Sequence, residues 1–374
     1  MKRRYYAYIG SLCSLLVFTG CDKESVTPDT EEKVPITLSA SSLPVSVDIQ
    51  VQTRATETIN NKSIGIVAAK ATDSNLTDVV SWTGTGYYLD HVRATGTNTD
   101  LLNGEKEVAF APLQYWPFNP GEYLAFVAYS PYSGTGGDAR VTRITGTNTL
   151  KVSANSTESF PDFLYTEPVG AFNKETAKAN PDKAVSLGEF QHAMAKLDIE
   201  VKLVDKDGKP IPESQFPNPN QLRITELKVL TKVKNGEFDL LQTTSPKVWT
   251  SLDGTGTEQI VRTHISSPIT LTADLSTYTD CFLLPGTQDN SYVSITIQEL
   301  NSAGTAPIST IIKKAKITEF EVVPGIGATL EMGKTTKLTI KVKYVPIPDP
   351  ETGIILEGQL VEWDYKGKST VTIE

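Results

Sequence analysis

The sequence predicts an all-β protein: two tandem β-sandwich domains behind a segment that directs export. Three features predict it: runs of strict apolar/polar alternation, scarce helical periodicity, and a polar stretch between two strand-rich halves. At 374 residues the chain is long for one core and comfortable for two. Clusters of Gly, Thr, Asn and Pro separate the alternating runs, a pattern of sandwiches rather than of βαβ units.

Residues 1–20 read as a secretory signal. Lys2, Arg3 and Arg4 precede an apolar stretch from about Ile9 to Phe18, too short to remain as a spanning helix. The stretch closes on Phe18-Thr19-Gly20-Cys21, followed by Asp22-Lys23-Glu24. A cysteine directly after small residues resembles a bacterial lipoprotein signal, in which Cys21 is acylated and becomes the new N-terminus. The plainer alternative is an ordinary signal peptide with an incidental cysteine. Residues 21–33 are poor in apolar groups and read as a flexible tether.

With the signal removed, 32 basic and 44 acidic residues leave a net charge of about −12. That balance argues against nucleic acid and anionic lipid surfaces as partners. Cys13 lies in the signal and Cys21 would carry lipid, so Cys281 has no partner for an intramolecular disulfide. Its setting, Asp280-Cys281-Phe282-Leu283-Leu284, marks it as buried and inert.

Strands follow in order. Val45, Val47, Ile49 and Val51 alternate with polar residues, as do Ala193, Ala195, Leu197, Ile199, Val201 and Leu203. Asp205-Lys206-Asp207-Gly208 turns the chain after the second run. Val293, Ile295 and Ile297 repeat the pattern, and so do Leu338, Ile340, Val342 and Tyr344. Tyr115-Trp116-Pro117 is expected to start a strand, Ser133-Gly134-Thr135-Gly136-Gly137 to form a hairpin tip, and residues 171–181 to hold a short turn of helix. A boundary near Pro181-Asp182-Lys183 divides residues 34–183 from 184–374.

Arg54 is a candidate processing site. It follows the Val45–Val51 run within Thr53-Arg54-Ala55-Thr56-Glu57-Thr58, a polar, unpatterned stretch expected to be exposed. A trypsin-like protease needs a basic side chain on extended, accessible backbone, and Arg54 followed by small Ala55 meets that need. Basic residues in loops are common, and the site stands out because a cut there would remove a whole strand. A sandwich lacking one strand exposes an apolar groove with unpaired backbone groups, which another extended segment can fill.

Several segments together resemble the fimbrillin family, the lipoprotein pilins of type V fimbriae. They are the lipoprotein start, Thr53-Arg54-Ala55, Tyr115-Trp116-Pro117, Phe126-Val127-Ala128-Tyr129-Ser130-Pro131 and Phe190-Gln191-His192-Ala193-Met194-Ala195-Lys196-Leu197. The resemblance implies two tandem transthyretin-like sandwiches and outer-membrane display through lipid on Cys21. It further implies removal of the first strand (within 34–54) by cleavage between Arg54 and Ala55, then polymerisation with neighbouring pilin subunits by strand exchange. Val371 and Ile373 share one face of the tail Ser369-Thr370-Val371-Thr372-Ile373-Glu374. The tail is either a donor strand or the closing strand of its own sandwich. Stalk and tip positions both remain open, and a host-surface ligand is a further candidate partner.

Chemistry is sparse. His91, His192 and His264 have no metal-site spacing, and His192 reads as a solvated or hydrogen-bonded strand residue. No Gly-x-Ser-x-Gly elbow occurs, and the glycine-rich stretch at 133–137 lacks a phosphate loop's lysine. Asp205-x-Asp207-Gly208 starts like a calcium loop, but Phe216 stands where the bidentate glutamate is needed. Glu226 and Glu237 have no spacing that supports a glycosidase pair. The expectation is a non-enzyme without cofactors or metals. The alternative function is a non-polymerising, lipid-anchored adhesin or glycan-binding protein. In it, an exposed subset of Trp82, Tyr87, Tyr88, Tyr129 and Tyr132 would meet sugars.

Overall fold

A computed structural model describes residues 33–41, 59–71, 74, 82, 86–102, 104–154, 159–205, 207–211, 222–242, 247–271, 276–301, 303–323, 325–343 and 354–362. The chain is β-rich throughout. Its first part contains β1 (Thr37–Ser41), β2 (Ser63–Ala71), β3 (Tyr87–Asp100), β4 (Lys106–Phe110) and β5 (Tyr123–Ser130). It continues through β6 (Val141–Arg143), β7 (Thr149–Ser153), β8 (Leu164–Tyr165), β9 (Val169–Phe172), helix α1 (Lys174–Ala179), β10 (Ala184–Glu189) and β11 (Gln191–His192). The short helix falls where the sequence suggests one. Asn173 caps it by accepting from Thr176 N at 2.9 Å while Thr176 Oγ1 accepts from Asn173 N at 2.9 Å.

Most of these strands form one sheet in the order β10-β1-β4-β3-β2-β5-β8-β11, with β9 on β5. The sheet takes in residues 184–192, past the polar stretch at 181–183. Both its faces are covered. Ile64, Ile66, Ala68, Phe126 and Ala128 enter one core, while Val67, Val127 and Tyr129 enter the other. Double coverage explains why β2 and β5 read as continuous apolar runs rather than alternating ones.

The second part holds β12 (Ala195–Val204), β13 (Leu222–Thr231), β14 (Asn235–Asp239), β15 (Gln259–Ile265), β16 (Ile269–Thr270) and β17 (Ser276–Leu283). After them come β18 (Ser291–Leu300), β19 (Pro307–Lys316), β20 (Glu321–Val323), β21 (Ile326–Gly327), β22 (Lys334–Lys343) and β23 (Ile354–Glu362). Two sheets result, β17-β12-β22-β23-β20-β21 and β15-β13-β18-β19. Leu197, Ile199 and Val201 of β12 and Leu338, Ile340 and Val342 of β22 share a core with Leu227 and Val229 of β13 and Ile295 and Ile297 of β18. The two inner faces therefore pack as a sandwich. Asp205 closes the turn after β12, its carboxylate accepting from Asp207 N at 2.9 Å and Lys209 N at 2.8 Å.

A three-stranded sheet, β14-β7-β6, draws strands from both parts of the chain. It brings Phe163, Tyr165, Phe238 and Trp249 into one cluster, with ring centroids 4.9–5.9 Å apart. Trp249 Nε1 donates to Ala193 O at 2.7 Å, closing this buried junction.

Two local expectations need correction. Residues 115–117 start no strand; they lie between β4 and β5, where Tyr115 makes an isolated bridge with Pro35. Trp116 is buried there, edge-on to Phe126 at 5.9 Å. Residues 133–137 are not a hairpin tip either, because β5 and β6 belong to different sheets. The loop is a crossover between layers.

Candidate functional site

The seat of the first strand bears most directly on the strand removal expected from the sequence. Trp116 N donates to Val34 O at 2.9 Å and Ile36 N donates to Gln114 O at 2.8 Å, guiding the chain into the sheet. From Thr37 onward β1 pairs with β10 in parallel and with β4 antiparallel, so it is an interior strand with both edges used. Leu38 lies opposite Val185 on β10 and Val108 on β4. Ile36, Leu38 and Ala40 are buried and contribute to the core on this side of the sheet. Burying one such aliphatic side chain is worth roughly 1.5–3 kcal/mol.

The opposite face of β1 is polar. Glu105, immediately before β4, accepts from Ser39 Oγ at 2.5 Å and from Ser41 Oγ at 3.3 Å. It also accepts from Ser186 Oγ of β10 at 2.6 Å, reaching across the intervening strand. Leu102 N donates to Asp182 Oδ1 at 3.1 Å, so the β3–β4 turn spans from one side of β1 to the other. Ser39 is fully buried beneath this crossing. None of these residues is a site candidate from sequence alone; Asp182 figures there only as part of the expected domain boundary. The available signal was the alternation of hydroxyl and apolar groups in Thr37-Leu38-Ser39-Ala40-Ser41, which is short and lacks large side chains.

The sequence-derived candidates Cys21, Arg54, Ala55, Val371 and Ile373 lie outside the described residues, as does the Val45–Val51 run. The last described strand before the tail, β23, pairs antiparallel with β22 over its whole length.

The three histidines fall on β3, β11 and β15. His192 bonds through Nδ1 to Asp162 Oδ1 at 2.7 Å, the hydrogen-bonded role expected of it. His91 sits at a left-handed φ of 50°, with Nδ1 3.2 Å from Tyr129 Oη. Burial, with help from the Arg143 cation, pulls its pKa down to about 4. Burial likewise pushes Cys281 up to about 12, leaving a thiol rather than a reactive thiolate. Glu226 pairs with Lys228 on β13, and Glu237 belongs to β14 in another sheet. Among the described residues no group of three or more His, Cys, Asp or Glu could hold a metal ion. Within the same residues, no helix is long and apolar enough to cross a membrane. Of the aromatics weighed for sugar stacking, Tyr129 is fully buried, and Tyr87 donates to Asn148 Oδ1 at 2.7 Å.

The chain is similar to several proteins of solved structure. A candidate cell adhesion protein of Bacteroides uniformis is 17% identical, with 88% of this chain and 99% of that chain covered at a TM-score of 0.46. One from Bacteroides ovatus is 14% identical, with coverage of 90% and 100% and a TM-score of 0.46. A fimbrial assembly protein of Parabacteroides distasonis is 8% identical, with coverage of 88% and 99% and a TM-score of 0.40. No curated protein matches significantly. The profile of the fimbrillin-like family matches residues 53–363, most of the sequence. The chain belongs to the fimbrillin-like family.

Proposed function

We propose that this protein is a fimbrial subunit, exported as a lipoprotein through Cys21, cut between Arg54 and Ala55, and polymerised with neighbouring subunits by strand exchange. Membership of the fimbrillin-like family supports a pilin or adhesin role at the cell surface, and that family is structural rather than enzymatic. The observation that carries the finer reading is the position of β1. An interior strand that buries Leu38 and Ala40, entered through buried Ile36, ends at Ser41, 13 residues before Arg54. A cut at Arg54 leaves that strand attached only by noncovalent bonds. Its loss frees the facing edges of β4 and β10 and uncovers Val108 and Val185. An extended segment of another subunit then satisfies the same backbone groups and refills the same core. Two sandwich units, expected from sequence at 34–183 and 184–374, would repeat along the polymer, the first drawing in β10 and β11 from beyond residue 183, with residues 21–33 as the tether of the precursor.

Arg54→Ala tests the processing step. The variant should fold and reach the surface as a monomer while forming no polymer, and ladders of polymer in that variant would contradict replacement of the first strand. Cys21→Ala should leave the precursor unprocessed or mislocalised, and normal surface display of that variant would contradict lipid anchoring.

A further inference from the structure

The apolar half of the first-strand seat would accept many extended segments, since any alternating run offers side chains for the Val108 and Val185 side. The polar half is more selective. Glu105 faces Ser39 and Ser41 on β1 and Ser186 on β10, and each of those hydroxyls donates to its carboxylate. Ser39 and Ser186 are direct register partners, so the two hydroxyls present themselves side by side on one face. Covered by a strand that offers no donor, this carboxylate loses hydration on that side while keeping the Ser186 bond, which is costly. A strand with a hydroxyl at the Ser39 position instead supplies a charge-assisted bond.

We infer that Glu105 is the specificity-determining residue of this seat: it selects an incoming strand by a hydroxyl two residues after the one that replaces Thr37. The occupant is the tail of a second copy of this chain. Thr370-Val371-Thr372-Ile373 repeats the order of Thr37-Leu38-Ser39-Ala40, hydroxyl then apolar, twice over. In that register Val371 replaces Leu38, Thr372 replaces Ser39 as donor to Glu105, and Ile373 replaces Ala40. Glu374 then falls at the Ser41 position, beside Glu105, so like charge opposes the last contact. The inference rests on the strand-exchange reading above.

The test uses the chain from Cys21, cut once between residues 54 and 55. Trypsin makes the cut, or a site-specific protease whose site replaces residues 52–56. Labelled, C-terminally amidated peptides of residues 34–43 and 366–374 compete for the seat, measured by fluorescence anisotropy. Ser39→Val in the first peptide and Thr372→Val in the second should each weaken binding about tenfold. Against a Glu105→Leu chain those differences should vanish. Glu374→Gln in the tail peptide should bind several-fold more tightly at low salt, with the gain shrinking as salt rises. Because the peptides alone carry the first comparison, it does not depend on the variant chain folding. Equal binding of hydroxyl-bearing and Val peptides to the wild-type chain overturns the role of Glu105 and leaves strand exchange standing. Hydroxyl-dependent binding of the 34–43 peptide with none of the tail peptide overturns the tail as occupant and with it the exchange register. Failure of both peptides to bind overturns the exchangeable seat itself.

Discussion

Leu38 and Val185 face each other across the β1–β10 boundary in parallel register, and each is at most 3% exposed. The pair joins the start of the fold to a strand nearly 150 residues later, beyond the sequence's polar divide. In the uncut chain, Leu38→Ala should therefore cost about 2–5 kcal/mol, as large-to-small changes in cores do. Chemical denaturation measures it. Leu102→Ala, at a position 82% exposed, should change stability by less than about 0.5 kcal/mol.

The aromatic junction gives a second ordering. Phe238 contacts Phe163, Tyr165 and Trp249, so Phe238→Ala should lower stability by about 3–5 kcal/mol. Trp249→Phe keeps a ring and loses the bond to Ala193 O, which should cost about 1 kcal/mol. Denaturant melts of the two variants that reverse this order would show that the junction is not held by ring packing.

Legibility tracked the kind of face each strand presents. The β12, β18 and β22 runs were plain in the sequence because one side of each is core and the other polar, as Leu197, Ile199 and Val201 show against Glu200 and Lys202. β1 carries a weak sequence signal because its buried positions include small residues, Ser39 and Ala40, with Leu38 as the one large side chain in the strand. Val45–Val51 shows the stronger alternation and draws the sequence-based first strand to itself, and that run lies outside the described residues. The pairing of β7 with β14 left no local signal, since register between short strands more than 80 residues apart is decided by tertiary packing. Tyr115-Trp116-Pro117 misled through its aromatic bulk. Trp116 fills the core from a loop, an arrangement that strand periodicity does not encode.

Acid should weaken the fold through His91. The folded chain keeps it neutral down to about pH 4, because burial disfavours the cation, whereas an unfolded histidine takes up its proton near 6.5. Between those values the unfolded state binds more protons, so stability falls as pH drops from about 6.5 toward 4 and is insensitive to this group above that window. The contribution is on the order of 3 kcal/mol. His264, also lowered to about 4 by burial, adds in the same direction. His91→Asn suits the left-handed φ of 50° and should give a shallower loss of melting temperature between pH 6.5 and 4.

Cys281 should be silent in the native state. It is fully buried and its thiol is pushed up to about 12, so a thiol reagent at pH 8 should label a chain from residue 21 carrying Cys21→Ser only after unfolding. Labelling at the rate of a free thiol in the folded chain would contradict its placement in the core.

The most direct test of the central claim is limited trypsin digestion of the chain from Cys21, with N-terminal sequencing of the product and size-exclusion chromatography over time. The strand-exchange account predicts one dominant cut at Arg54-Ala55, release of the fragment carrying β1, and slow growth of large oligomers. A chain that resists cutting at Arg54, or that is cut there and remains a monomer with its first strand in place, would contradict it.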